Sequence, residues 1–209
     1  MPRISFPSPE TMNAEQRAVY DDIVSGPRAR LVGPLKAALH NPALADRWQK
    51  MGALLRFGTS IPPRHSELVI LVAARRWNSQ LEWAIHAQAA QAAGLPQMVI
   101  DALCACQPPL FADAADAHVY EYARQLQQHG NVDEEVYQRV LGLYGEAGIV
   151  ELGAILGYYT MVAMTLNVHQ IPVPEEYAEP RLQVATQQGR PQLADLPPGQ
   201  LSPVKEALS

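Results

Sequence analysis

Four residues in the middle of the chain have side chains and a spacing that could carry out acid–base chemistry. Glu82 and His86 are four residues apart in a helical pattern, so both side chains lie on one face of a helix. A carboxylate beside an imidazole can hold and move a proton on one ligand. Glu67, in the preceding segment, could face this pair, and Ser79 stands at the start of the same helix. Because the first turn of a helix favours negative charge, a substrate carboxylate could bind there.

The same residues have two other interpretations. Ser79-x-x-Glu82 is also a capping-box sequence, and Glu82 with His86 is an ordinary pair on a helix surface. Glu67, Glu82 and His86 could instead bind a metal ion, but one histidine with two carboxylates is a weak zinc signature. Since no second histidine stands at helical spacing from His86, we predict that the site uses no metal and no other cofactor.

The elements that position these residues are predicted to be helices. Ala, Leu, Gln and Glu are frequent, apolar residues recur at helical spacing, and no alternating strand pattern is seen, so the chain is predicted to be all-α. Prolines and glycines mark the helix ends, and residues 26–40 are expected to be loosely ordered. The predicted helices cover residues 13–25, 41–58, 63–77, 79–94, 96–104, 113–129, 133–144 and 148–169.

Two parts of the chain are distinguished by composition. Residues 1–170 are predicted to form a single helical domain. From residue 171 to residue 209 there are seven prolines and few large apolar side chains, which favours an extended proline-rich arm over another packed helix. An arm of this kind can wrap a neighbouring subunit.

The charge balance of the 209 residues excludes some partners. There are 16 Lys and Arg against 21 Asp and Glu, a net charge of −5, with no basic run, so we expect neither nucleic acid nor an anionic membrane as a partner. Residues 149–168 are apolar enough to suggest a membrane span, but glycines, tyrosines and Asn167 interrupt them and no Lys or Arg flanks them, so a buried helix is expected. No apolar leader stands at the start, so a cytoplasmic protein is expected.

Several short pieces of sequence resemble those of a known family. They run in order from about Asn13 to Pro174: Glu15-Gln16-Arg17, Gly26-Pro27-Arg28, Asn41-Pro42-Ala43-Leu44-Ala45, Leu55-Arg56, Glu67-Leu68, Arg75 with Trp77, Glu82-Trp83 with His86, and Ala93-Gly94-Leu95. In this order they resemble the carboxymuconolactone decarboxylase family, which shares the AhpD-like fold with the alkylhydroperoxidases. The resemblance implies an antiparallel helical bundle and a homo-oligomer.

The peroxidase branch of that superfamily has a Cys-x-x-Cys motif that this chain lacks. In that branch a glutamate is followed by eleven residues, Cys-x-x-Cys, three residues and a histidine. Here Glu67 is followed by eleven residues, Ser79-x-x-Glu82, three residues and His86. Without the two thiols, dithiol peroxidase chemistry is excluded. The pair Cys104 and Cys106 stands after the motif with a different spacing, and both residues are interpreted as buried helical thiols.

The decarboxylase branch implies a cofactor-independent lyase acting on a small carboxylated lactone. In this reaction carbon dioxide leaves and the resulting dienolate receives a proton. By the resemblance, His86 donates the proton, Glu82 orients His86 or exchanges the proton with it, and Glu67 positions the pair. The residues expected to bind the substrate are Ser79, Arg75 and Trp83, the last of which could equally serve in core packing.

Two alternative functions remain open at this point. One is a non-catalytic or redox-linked protein of the same fold whose pocket binds a small apolar acid, and the other is a metal-dependent variant. The last helix carries polar residues that could reach either the site or a subunit contact, namely Tyr158, Tyr159, Thr160 and His169. Four further histidines are expected to be solvated or to cap helices: His40, His65, His118 and His129.

Overall fold

The structure of the protein is a computed structural model that describes residues 1–27, 29–177, 182 and 191–201. These residues form eight α-helices and one 3₁₀ turn, with no β-strand among them, which confirms the all-α prediction. The helices are α1 (Ala14–Ser25), α2 (Pro34–Ala38), α3 (Pro42–Phe57), α4 (Pro63–Arg76), α5 (Gln80–Ala92), α6 (Gln97–Cys104), α7 (Ala114–His129) and α8 (Glu134–Val168).

Local sequence signals set most of the helix starts. Asn13 and Gln16 form a reciprocal capping box at the start of α1, with hydrogen bonds of 2.9 and 3.0 Å. Asn41 caps α3 by accepting from the Leu44 amide. The short helix α2 lies within the stretch that was expected to be loosely ordered. It begins after Gly33, whose φ of +47° belongs to the left-handed region that favours glycine.

Helix α4 is the centre of the bundle. Eleven of its 14 residues are buried, and it packs against α5, α7 and α8. A helix surrounded on all sides must find partners for its polar side chains inside the protein. Accordingly, Glu67 bonds to His86 on α5, and Arg76 donates to the Pro191 carbonyl at 2.8 Å. The central position of α4 therefore brings a carboxylate into the interior next to α5.

Helix α8 forms the other long wall of the bundle. Gly145 has φ +67° and ψ −175°, so the helix is kinked there, between the two segments that the sequence predicted separately. Within the described part of the chain, α8 is the one helix that by length and composition could cross a membrane. It packs against α3, α4 and α7, and side chains such as Leu152 and Ile155 lie in the core. Its inner face packs as that of a core helix in a bundle, but half of its most apolar stretch is exposed instead of buried as expected.

The described residues beyond α8 lie on the bundle of their own chain. They contain a 3₁₀ turn at Glu175–Tyr177 and no α-helix. Leu193 is buried in the core cluster, and the Tyr120 hydroxyl on α7 donates to the Ala194 carbonyl at 2.6 Å. This part of the predicted arm therefore covers α7 instead of reaching away from the molecule. The remainder of the predicted arm falls outside the described residues.

Candidate active site

A carboxylate and an imidazole meet between α4 and α5. His86 Nδ1 lies 2.7 Å from Glu67 Oε2, and both side chains are buried. With Glu67 as a carboxylate, Nδ1 carries the hydrogen and donates it, which fixes the orientation of the ring. The second ring nitrogen, Nε2, has no hydrogen-bond partner among the described residues and is left for a ligand. The structure thus brings together two of the predicted catalytic residues.

The third predicted catalytic residue, Glu82, lies one helical turn before His86 on α5. Only 2% of its surface is exposed, and neither carboxyl oxygen has a hydrogen-bond partner within the described part of the chain. Burial raises the pKa of Glu82 well above its ordinary value, and the Ser79 hydroxyl acts in the opposite direction to a smaller extent. Glu82 therefore keeps its proton at a pH at which a surface glutamate is ionised, and its O–H can donate a hydrogen bond.

Glu82 and His86 both line a small cavity of about 60 Å³ between α5, α8 and the loop before α2. The volume corresponds to a few water molecules or the reacting part of a small ligand. Four lining side chains are polar or charged, namely Arg56, Glu82, His86 and Tyr159, and Tyr158 lines the cavity beside them. The rest of the wall is apolar: Val32, Gly33, Pro34, Leu35, Leu81, Ile85, Val162 and Leu166. In such apolar surroundings electrostatic interactions are stronger than in water.

Two residues at the cavity were not among the predicted site residues. The Tyr159 ring packs edge-on against the His86 ring, with 4.8 Å between centroids, so the sequence ambiguity about Tyr158 and Tyr159 is resolved in favour of the cavity. Burial raises the pKa of Tyr159, while the positive charge of Arg56 lowers it to a smaller extent. Arg56, at the end of α3, is the cation of the cavity wall. In the sequence, Arg56 was indicated only as part of Leu55-Arg56, one of the short segments that resemble the family.

The three predicted substrate-binding residues do not line the cavity. Ser79 is the N-cap residue of α5, but its side chain makes no capping hydrogen bond. Trp83 is fully enclosed in the hydrophobic core. Arg75 donates from Nε to the Cys104 carbonyl at 2.8 Å and also bonds to the Asn78 side chain. The Arg75 guanidinium thus ties the end of α4 to the end of α6, and Arg56 is the arginine that faces the cavity.

The donor sets for metal and thiol chemistry are not assembled in the described residues. No three His, Cys, Asp or Glu side chains there are placed to hold a metal ion together. Cys104, the last residue of α6, and Cys106, two residues beyond it, form no disulfide and are half-buried instead of fully buried as expected. Burial raises the pKa of the Cys106 thiol, with Arg75 opposing it, and so reduces the thiolate fraction.

A second polar cluster lies at the start of α4, just before Glu67. The Asp116 carboxylate bonds to His65 at 3.0 Å and to Arg64, while the other His65 nitrogen bonds to the Tyr144 hydroxyl. Burial acts to raise the pKa of Asp116, but the His65 and Arg64 hydrogen bonds outweigh it and hold that pKa below its usual range. The expectation of a solvated or capping role for His65 is wrong, and so is that for His118, which is fully buried.

Comparison with known proteins gives the fold a name. No family model and no curated protein matches this sequence. An uncharacterized peroxidase-related protein from Silicibacter sp. TM1040 superposes with a TM-score of 0.67 at 16% identity, covering 84% of this chain and 93% of that one. One from Ralstonia eutropha JMP134, described as an alkylhydroperoxidase AhpD core, has a TM-score of 0.64 at 13% identity, covering 84% and 94%. The chain has the AhpD-like fold.

An enzyme is also among the similar AhpD-like structures. A cysteine-to-alanine variant of the debrominase Bmp8, in complex with 2,3,4-tribromopyrrole, has a TM-score of 0.64 at 13% identity, covering 82% of this chain and 92% of that one. At these identities the likeness establishes the AhpD-like fold, as the sequence predicted. The chemistry must be argued from this chain's own residues.

Proposed function

We propose that this AhpD-like protein is a cofactor-independent lyase that acts on a small carboxylated, lactone-type molecule, in the manner of the carboxymuconolactone decarboxylases. One observation carries the proposal: a buried, unpartnered Glu82 and a His86 held by Glu67 line the same largely apolar cavity. A buried carboxyl group without a partner destabilises a fold. Such a group, beside a positioned imidazole in a cavity, favours catalysis over a structural role.

The cavity residues fit the steps of such a decarboxylation. Arg56 at the wall attracts an anionic substrate, and the apolar surroundings remove water from its carboxylate. The bond from this carboxylate to carbon breaks, carbon dioxide leaves, and the electron pair moves into the conjugated carbonyl. In its imidazolium form His86 then gives the Nε2 proton to carbon and recovers one from water, while Glu67 accepts from Nδ1 and holds the ring.

The test is an ultraviolet assay of carboxymuconolactone consumption by the wild type and by His86→Ala at equal concentration. We expect the substitution to lower kcat by about 100-fold or more, because a positioned proton donor contributes on that scale. His129→Ala, which removes an exposed histidine at the end of α7, is the matched control and should keep the wild-type rate. Equal rates for His86→Ala and wild type would reject His86 as the donor.

A second candidate function is the binding of a small apolar acid without turnover. The apolar wall of the cavity favours it, and the debrominase with the same fold holds a small heteroaromatic ring. In that case calorimetry would detect ligand binding that His86→Ala leaves unchanged, with no product formed. Binding that depends on His86 together with turnover would reject this candidate.

We also propose that the protein is a homo-oligomer and that a second copy covers one face of α8. Seven residues spaced alternately three and four apart form this face, here called the α8 stripe: Ala147, Val150, Ala154, Gly157, Met161, Met164 and Val168. All but Ala154 are exposed, Val150 by 70% and Val168 by 56%. The stripe is about 30 Å long and carries no charge, and a Cβ added at Gly157 would meet nothing within 4 Å.

A second copy fits the α8 stripe better than a membrane surface does. The alternation of three and four is the spacing by which two helices pack along a seam, so the stripe is complementary to itself. Exposed apolar residues also lie on α3, which packs against α8, among them Leu54 and Phe57. The net charge of −5 disfavours an anionic membrane. Cytoplasmic location and the absence of a nucleic-acid partner stay predictions from the sequence.

A further inference from the structure

The carboxyl group of Glu82 has no hydrogen-bond acceptor within the described part of the chain. Both of its oxygens are enclosed and unpartnered, yet the residue lines the cavity. A buried polar group almost always has a partner in a working protein. For a carboxyl group that retains its proton, the missing partner is a hydrogen-bond acceptor. Ser79 Oγ, also buried and without a hydrogen-bond partner, is the nearby polar atom of the protein, and a ligand in the cavity can supply the acceptor that the Glu82 O–H lacks.

The hydroxyl of Tyr159 is a second donor at the same cavity. Its ring is buried against His86, and no described residue is a hydrogen-bond partner of its hydroxyl. Burial raises its pKa, so the hydroxyl keeps its proton. Two neutral O–H donors thus line one largely apolar cavity, together with the imidazole.

We infer that Glu82 and Tyr159 form a pair of neutral donors for the oxygen of an enolate, and that the substrate class is therefore small unsaturated carbonyl compounds. The inference deepens the proposed function and rests on it. Neutral donors in a cavity without water stabilise developing negative charge on oxygen and cost no reorganisation when the charge appears. A tyrosine with a protonated carboxylic acid performs this task in ketosteroid isomerase, on an unrelated fold.

Glu82 and Tyr159 stabilise the charge on oxygen during the reaction, and His86 transfers the proton. When the carbon–carboxylate bond breaks, the electron pair moves through the double bond to the carbonyl oxygen, which accepts hydrogen bonds from Glu82 and Tyr159. The electron pair then returns to carbon as His86 delivers its proton. Glu82 and Tyr159 stay protonated throughout, and His86 alone exchanges a proton with solvent. Tyr159 is a catalytic residue because its hydroxyl contacts the reacting oxygen.

The probe for this pair is 4-nitrophenol, a planar acid whose ionised oxygen resembles that of an enolate. Its phenolate absorbs at longer wavelength than the neutral phenol, so binding and ionisation are read together in a titration. At a pH at which free 4-nitrophenol is mostly neutral, we expect the bound molecule to be the phenolate, its proton having passed to His86 or to water. Nitrobenzene, which lacks the oxygen, is the matched ligand control.

Two variants test the donors separately. Tyr159→Phe removes one hydroxyl, and we expect it to weaken phenolate binding by about 10-fold, the effect of one hydrogen bond to a charged oxygen. Tyr137→Phe removes the same atom from an exposed position on the same helix and should bind as the wild type does. Glu82→Met fills the apolar site without a donor and should weaken phenolate binding similarly. Neither Tyr159→Phe nor Glu82→Met should change the affinity for nitrobenzene.

The outcomes separate this inference from the proposed function. Phenolate binding that depends on both Tyr159 and Glu82 supports the donor pair even if the lactone is not turned over, in which case only the proposed substrate is rejected. Glu82→Met binding the phenolate as the wild type does would reject the pair. If 4-nitrophenol binds in its neutral form, or if Tyr159→Phe and Tyr137→Phe bind it equally well, the donor pair is rejected. His86-dependent turnover of the lactone would in that case leave the proposed function standing without it.

Discussion

At the scale of single residues, Glu82 reduces the stability that the fold would otherwise have above acidic pH. Its carboxyl group is enclosed, unpartnered and surrounded by apolar side chains. The unfolded chain releases this proton above the ordinary pKa of 4.5, whereas the folded protein holds it to a higher pH. Between these two pKa values the folded state binds more protons, so stability falls as the pH rises. Below both values the penalty is absent.

Glu82→Gln should remove this dependence, because glutamine has the same shape and does not ionise. We expect the variant to gain stability over the wild type as the pH is raised from 4.5, by about 1.4 kcal/mol per pH unit up to the folded pKa of Glu82. Thermal unfolding across pH 4 to 8 measures it. Glu146→Gln, at an exposed position on α8, is the control. A constant difference across pH would show that Glu82 ionises in the fold as it does in water.

At the scale of elements, each helix involved in the site contributes a different group. Helix α5 supplies Glu82 and His86, α4 supplies Glu67, α8 supplies Tyr159, and the end of α3 supplies Arg56. Helix α8 has a second role, because another of its faces is the exposed α8 stripe. A single helix therefore joins the site to the surface through which copies of the chain are proposed to associate.

Val150→Lys should break the self-association proposed for the α8 stripe. Val150 is 70% exposed, so lysine fits the monomer, but in a helix–helix seam its charge would be buried without a partner. We expect the association constant to fall by at least about 10-fold, with a shift toward monomer in sedimentation velocity. Gln138→Lys adds the same charge at an exposed position outside the stripe and should leave the oligomer intact. A monomeric wild type would reject the proposal outright.

At the scale of the whole molecule, the segment beyond α8 closes one side of the bundle. Leu193 joins the core, Ala194 accepts from Tyr120, and the Asp195 carboxylate lies 2.7 Å from Arg124. The ion pair is exposed on the Asp195 side and contributes little. The apolar contact of Leu193 carries most of the stabilisation that this segment provides.

Leu193→Ala should therefore destabilise the protein by about 2–4 kcal/mol, the range for a buried leucine whose removal leaves a cavity. Chemical denaturation with urea measures the difference. Leu110→Ala, at a leucine that is 54% exposed, is the matched control and should cost far less. Equal losses for the two variants would mean that the segment does not pack on α7 in solution.

The all-α class, the helix ends and the pairing of Glu82 with His86 followed from local sequence signals, whereas the AhpD-like fold was predicted from the family resemblance. Asn13, Asn41 and the prolines and glycines predicted the helix ends, because capping and backbone conformation depend on neighbours in sequence. The spacing of Glu82 and His86 placed both on one helix face for the same reason. The five-residue α2 escaped prediction, because so short a helix has no periodicity and exists only through its packing.

Only the tertiary structure decided which side chains share the cavity. The sequence does not distinguish Arg75 from Arg56 as a cation for the substrate. In the structure Arg75 donates to the Cys104 carbonyl and to the Asn78 side chain, while Arg56 lines the cavity. Tyr159, more than seventy residues after Glu82, reaches the site because α8 packs against α4 and α5. Burial likewise decides the protonation of Glu82, since the pKa of a carboxyl group depends on the dielectric and the partners around it, which distant parts of the chain supply.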